Sequence, residues 1–132
     1  RLSMSIVRLN PWFEVNRGTA ANNWTPPADV WETPSAYRID LEIPAVRAED
    51  VDVSVDDGVL IITGKRDRIA LTEAEDQAHR LERRHGTFAR RFRLPENADA
   101  DGISAHIAEG VLALTVAKRA EARPRRIEVN AA

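Results

Sequence analysis

Apolar and polar residues alternate strictly in several short runs along the middle of the chain. Tyr37, Ile39, Leu41 and Ile43 alternate with Arg38, Asp40 and Glu42, and Pro44 ends the run. Val51, Val53 and Val55 alternate with Asp52, Ser54 and Asp56. A period of two puts every second side chain on one face of an extended backbone, so each run predicts a strand with one buried face. Asp57-Gly58 follows, a pair that tolerates the two positive φ angles of a type I′ hairpin turn. Val59-Leu60-Ile61-Ile62-Thr63 is apolar on both faces and predicts a central strand. Phe88, Phe92 and Leu94 share a face closed by Pro95. Ile103, Ala105 and Ile107 form another short strand, Glu109-Gly110 a second tight turn, and Val111 to Val116 the last strand. Short strands, frequent turns and no long helical period predict an all-β antiparallel sandwich.

Three zones separate by composition. Residues 1–27 mix isolated apolar groups (Ile6, Val7, Leu9, Trp12, Phe13, Val15) with Asn, Gly and Thr, and no period persists long enough to predict an element. They read as a flexible N-terminal arm, residues 28–118 as the sandwich, and residues 119–132 as a basic C-terminal extension. Residues 67–79 fit neither pattern and are long for a structureless connection. Thr72 with Glu75 matches a capping box, which predicts a short helix. Equally, Ile69 and Leu71 alternate like a small strand on a protruding arm that pairs with another chain.

Composition narrows the chemistry. The 132 residues suit one domain and are 43% hydrophobic and 30% charged, which is globular, with a net charge of −2 that exerts no global pull on nucleic acid or anionic lipid. There is no cysteine, so disulfides, thiolate metal sites and thiol catalysis are excluded. No apolar stretch approaches the ~18 residues of a membrane span, and no signal-like apolar region precedes a small-residue cleavage site. A cytoplasmic protein is the expectation. Met4 is the only methionine, and Arg1-Leu2-Ser3 carries no weight in this reading.

Candidate catalytic and cofactor motifs fail on inspection. Gly58 to Lys65 has five residues between its glycines where a phosphate loop needs four, and Arg66 replaces the Mg²⁺-binding Ser/Thr. His79, His85 and His106 are too scattered for a spaced metal motif. No Gly-x-Ser-x-Gly elbow occurs. The expectation is a non-enzyme with no cofactor and no metal. Arg80, Arg83, Arg84, Arg90, Arg91 and Arg93 form one dense basic region, but Phe88 and Phe92 fall on the apolar face, so no stacking platform for nucleic acid accompanies them. Arg90 shares the parity of Phe88 and Phe92. A charge on a buried face is costly unless paired, so Arg90 predicts an ion-pair partner, and a carboxylate of a second subunit is the expectation. A bulge at Gly86 would shift that parity.

Arg123-Pro-Arg-Arg-Ile127-Glu-Val129 places two branched apolar residues two apart in a segment too polar to fold alone. An extended backbone points Ile127 and Val129 the same way, the shape of a peptide that lies along a sheet edge and drops two knobs into pockets.

Several of these pieces together resemble the small heat-shock proteins, built around the α-crystallin domain. Pro26-Pro-Ala-Asp-Val-Trp-Glu32 resembles the opening strand of that family. Gly86-Thr-Phe88-Ala-Arg90-Arg-Phe92-Arg-Leu94-Pro95 resembles its Gly-x-Phe-x-Arg-x-Phe-x-Leu-Pro strand. Ala105-His-Ile-Ala-Glu-Gly110-Val111-Leu112 resembles its Ala-x-x-x-x-Gly-Val-Leu motif, and Ile127-Glu-Val129 its C-terminal Ile-x-Ile/Val. The match runs in order over about residues 26–129.

The resemblance implies an immunoglobulin-like sandwich and an ATP-independent holding chaperone for partly unfolded client proteins. It implies a homodimer in which the residue 67–79 arm, with Ile69 and Leu71, adds a strand beside residues 28–32 of its partner, with Val30, Trp31 and Arg90 at the interface. It implies that Ile127 and Val129 bind a neighbour's groove between Val51, Val53, Val55 and Ile103, Ala105, Ile107, linking dimers into a larger homo-oligomer. Trp12, Phe13 and Trp24 would contact clients, which could pass on to ATP-dependent chaperones; no nucleic acid or membrane partner is implied. The arm departs from the family in lacking repeated Asp-Pro-Phe pieces, Asn10-Pro-Trp-Phe13 being the nearest echo. Ala117 stands where many members have Pro, and Val129 is a smaller knob than Ile. The alternative reading is a non-chaperone scaffold or co-chaperone-like protein-binding module on the same sandwich.

Overall fold

Among the described residues, the alternating runs of the sequence are strands. In the computed structural model, which describes residues 12–15, 23–68 and 73–131, these are β1 (Phe13–Glu14), β2 (Ala28–Glu32), β3 (Ala36–Glu42), β4 (Val51–Asp56), β5 (Val59–Arg66), β6 (Gly86–Arg93), β7 (Ala98–Ala108) and β8 (Val111–Lys118). They form two four-stranded antiparallel sheets, with neighbour orders β1-β6-β5-β4 and β2-β3-β8-β7. The sheets face each other as an immunoglobulin-like sandwich.

The registers explain why. Ile39 lies opposite Leu114 and Leu41 opposite Leu112 in one sheet; Leu60 lies opposite Phe92 in the other. The apolar parities of neighbouring strands therefore coincide, and a one-residue slip would turn a whole apolar row to water. Ile39, Leu41, Ile43, Leu60, Ile62, Leu114 and Val116 have no exposed surface, and Phe88 fills the space beside them. Burying each of these side chains stabilises the fold by roughly 1.5–3 kcal/mol.

The β4–β5 and β7–β8 hairpins turn where the sequence expects. Asp57 and Gly58 have φ of 49° and 73°, and Glu109 and Gly110 have φ of 52° and 77°. β5 is indeed internal, flanked by β4 and β6. The look-alike phosphate loop is this strand.

The structure departs from the sequence reading near the N-terminus. No element was expected in residues 1–27, yet β1 pairs with β6, Phe13 opposite Arg93 and Glu14 opposite Phe92. Val15 N–H donates to Arg91 O at 2.7 Å, and Asn23 N–H to Thr87 O at 3.0 Å. A strand of two residues is too short to show a period, so pattern could not reveal it. In the 67–79 connection, the described residues form neither helix nor strand. The Glu73 and Asp76 backbone and carboxylate close a turn instead, at 2.9 and 3.0 Å. Thr72 of the capping box and the alternating Ile69 and Leu71 lie outside the described residues.

Candidate functional site

Two edges of the sandwich come together at one side. Trp12, before β1, meets Tyr37 on β3 with ring centroids 5.4 Å apart. Arg90 on β6 donates to Pro26 O, just before β2, at 2.6 Å. The β1–β6 side of one sheet thus lies over the β2–β3 side of the other. The opposite edges, β4 and β7, share the remaining side.

β4 presents Val51, Val53 and Val55, and β7 presents Ile103 and Ile107, all half-buried against the core. Ala105, between the two isoleucines, is exposed. Val53 is opposite Ile62 and Val55 opposite Leu60; Ile103 is opposite Val116 and Ile107 opposite Leu112. Each row therefore continues the core face of its sheet one strand beyond the last covered one. Among the described residues nothing pairs with the outer sides of β4 and β7, whose backbone groups there are the feature that accepts an added strand.

Beyond β8 the chain makes a short 3-10 turn at Ala120–Ala122, held by Arg119 N–H to Asn97 O at 2.8 Å and Arg123 Nε to Lys118 O at 2.7 Å. It then runs out along the surface with Ile127 77% and Val129 90% exposed. Neither knob folds back onto the chain's own edges. At the other sheet edge, Val30 and Trp31 on β2 are exposed at 36% and 56%. Lys118 closes β8 against β2: its ammonium sits 2.6 Å from Glu32 and 5.2 Å from the Tyr37 ring centroid, with the side chain itself buried.

Arg90 has its ion-pair partner within its own chain, where the sequence led us to expect a second-subunit carboxylate. Its Nε and Nη2 donate to the two Glu14 oxygens at 2.8 and 2.5 Å, and Nη1 to Pro26 O. Arg90 is opposite Ile62 on the core-facing side of β6, as its parity predicts. The stem runs beneath the N-terminal segment and the guanidinium emerges at the rim, over Phe92 at 5.1 Å. The signal missed in the sequence was Glu14, which shows no pattern of its own.

Trp12 and Trp24, expected to contact clients, are buried in this structure. Each is only 6% exposed. Trp12 packs edge-on against Tyr37 and Phe92, and Trp24 against Phe88 at 5.1 Å. The reason is geometric: between β1–β6 and β2–β3 the sandwich is open, and two indoles fill what strand side chains leave empty. Phe13 pairs through its backbone in β1.

A clasp that sequence reasoning missed holds this cover in place. Trp24 Nε1 donates to Gly86 O at 2.8 Å, and Asn23 Oδ1 accepts from Thr87 N–H and Oγ1 at 2.8 and 3.0 Å. Gly86 has φ of +100°, and a Cβ there would collide with Asn23. Arg66 lies over the Trp24 ring, 3.9 Å from its centroid, and donates to Pro44 O and Arg84 O. Burial, followed by the charge of Arg83, holds the Arg66 guanidinium below its usual pKa range. Two backbone segments and an indole therefore meet on one cation.

Among the described residues no group of three or more His, Cys, Asp or Glu could hold a metal ion, and no helix is long and apolar enough to cross a membrane. The geometry on offer is two open edges, an extended tail and an aromatic cover: surfaces for polypeptides.

Comparison with known proteins follows the same lines. The family model described as Hsp20/alpha crystallin family matches residues 29–130. The chain is 38% identical over 120 residues to spore protein SP21 of Stigmatella aurantiaca, covering 91% of this chain and 69% of that protein. It is 42% identical over 121 residues to a 17.6 kDa class II heat shock protein of Arabidopsis thaliana, covering 91% and 77%. The crystal structure of a small heat-shock protein from Xylella fastidiosa aligns with a TM-score of 0.69 at 40% identity, over 83% of this chain and 99% of that one. Heat shock protein 16.0 from Schizosaccharomyces pombe aligns with a TM-score of 0.69 at 32% identity, over the same shares of 83% and 99%.

Proposed function

Because the chain belongs to the Hsp20/alpha crystallin family, the small heat-shock class of chaperones, we propose that it is an ATP-independent holdase. It binds partly unfolded proteins and works as an oligomer assembled from dimers. One observation carries this reading. The same chain leaves Ile127 and Val129 exposed and, among the described residues, leaves two half-buried apolar rows, on β4 and β7, without a covering strand. Knob and slot are complementary but do not meet within one molecule, so they meet between copies.

Each knob seated in the slot contributes roughly 1.5–3 kcal/mol before the cost of ordering the tail. One contact is therefore reversible, and several in a closed assembly act together. In this reading dimers form at the exposed β2 edge, where Val30 and Trp31 receive the partner's 67–79 arm with Ile69 and Leu71. Clients engage Trp12, Phe13 and Trp24 once the N-terminal cover lifts from the sandwich, and edges freed by tail release add apolar surface. Held clients then pass to ATP-dependent chaperones.

The test has two arms. Near-equimolar protein should keep a heated model client in solution without ATP; no suppression at any ratio or temperature would sink the holdase. Ile127→Ala with Val129→Ala should reduce the solution mass from a large assembly to dimers, and an unchanged mass would refute the tail contact.

A further inference from the structure

The charges around the slot and the tail are sorted by sign. From Ala48 to Gly64 the chain carries Glu49, Asp50, Asp52, Asp56 and Asp57 and no Lys or Arg. From Leu94 to Ala117 it carries Glu96, Asp99, Asp101 and Glu109 and again none. These stretches contain β4 and β7, the two strands that border the slot. The tail has the opposite sign, with Arg123, Arg125 and Arg126 immediately before Ile127.

Glu49 and Asp50 pair with Arg47 at 3.6 and 3.0 Å, but the charges nearest the middle of β4 and those next to the knobs are uncommitted. Asp52, Asp56 and Asp57 are exposed and enter no ion pair among the described residues, and the same holds for Arg125 and Arg126. Competing edges are marked differently. The β1–β6 edge bears Arg91 and Arg93, which repel a basic peptide. On the β2 edge Glu32 is already neutralised by Lys118 at 2.6 Å, which leaves Asp29 as its single free carboxylate among the described residues. An extended peptide with two apolar knobs could lie on any unpaired strand edge, and the β4–β7 side, with the most free carboxylates, attracts this one most strongly.

We propose that the acidic rim of β4 and β7, with Asp52 and Asp56 at its centre, is the address that selects the arginine tail of a second copy of this chain. The rim steers Arg123, Arg125 and Arg126 to the slot and sets which edge the tail occupies, while Ile127 and Val129 hold it there. The inference rests on the tail reading above and adds its specificity. Exposed charge pairs of this kind are worth about 1.5- to 5-fold in association each. Their reach is one Debye length, about 8 Å at physiological salt, so assembly through the rim weakens as salt rises.

Charge reversal of the full chain tests it, read as solution mass against protein concentration at about 50 mM and about 500 mM NaCl. Arg125→Glu with Arg126→Glu, in a tail that cannot unfold the sandwich, should weaken association about 10-fold or more at low salt. Asp52→Lys with Asp56→Lys should do the same. All four changes together should recover most of the assembly, since opposite signs again face each other. Loss in both pairs without recovery in the combination overturns the proposal. So does a mass indifferent to the reversals and to salt while Ile127→Ala/Val129→Ala still yields dimers; that result would leave the tail contact standing. If the Ile127/Val129 variant also keeps its full mass, the tail reading fails with it.

Discussion

Replacing Arg90 by Ala separates an intramolecular clamp from an intersubunit one. The Arg90 guanidinium makes three charge-assisted hydrogen bonds, two to Glu14 and one to Pro26 O. Its side chain is 12% exposed and that of Glu14 is 30% exposed. A hydrogen bond to a charged group is worth about 1.5–3 kcal/mol when buried. Glu14 is open enough to rehydrate once abandoned, so the pair falls well short of a fully buried one. The expected loss for Arg90→Ala is about 3 kcal/mol, and for Glu14→Ala about 1–2 kcal/mol, because the second change leaves the bond to Pro26 intact. The coupling energy in the double-mutant cycle should be about 1–2 kcal/mol. In a chain of this size Arg90→Ala should lower Tm by roughly 10 °C. Urea and thermal unfolding should be run in the Ile127→Ala/Val129→Ala background, so that assembly contributes equally to every corner of the cycle. Additive effects of Arg90→Ala and Glu14→Ala would refute the clamp. A concentration-dependent loss in Arg90→Ala alone would return the arginine to a subunit interface.

Two further changes probe the N-terminal cover. Gly86→Ala forces a side chain into a positive-φ position against Asn23; it should cost about 2–4 kcal/mol by urea denaturation, and a neutral result would show that Asn23 does not dock there. Trp24→Phe keeps the ring against Phe88 but removes the donor to Gly86 O and weakens the contact with Arg66. It should cost about 1–2 kcal/mol and make the N-terminal segment more sensitive to limited proteolysis, whereas unchanged stability and cleavage would place Trp24 outside the core.

The sandwich was legible because its strands announce themselves locally. Tyr37 to Ile43 and Val51 to Val55 carry their buried face in the order of their residues, and Asp57-Gly58 and Glu109-Gly110 carry their turns in φ preference. The tail was legible for the same reason: Ile127 and Val129 stand out against a basic, unpatterned stretch. β1 and the burial of the N-terminal indoles were not legible, for the converse reason. Trp12 and Trp24 sit among Asn, Thr and Pro with no period around them, and isolated aromatics in polar sequence look like exposed ones. Their burial depends on a gap between β1–β6 and β2–β3 that exists only once both sheets are assembled.

Pattern alone thus determined β3 to β8, their buried faces, the turns at Asp57-Gly58 and Glu109-Gly110 and the knobs of the tail, because period-two alternation is a property of neighbours in the chain. Tertiary structure alone decided the partners. Glu14 reaches Arg90 across 76 residues, Trp24 reaches Gly86 across 62, and Lys118 reaches Glu32 across 86. No short-range rule links such pairs. A charge on a buried face must be neutralised, and that much can be read from Arg90 in sequence. Which carboxylate neutralises it depends on which segment the finished fold brings within about 3 Å, and here that segment is the chain's own first strand.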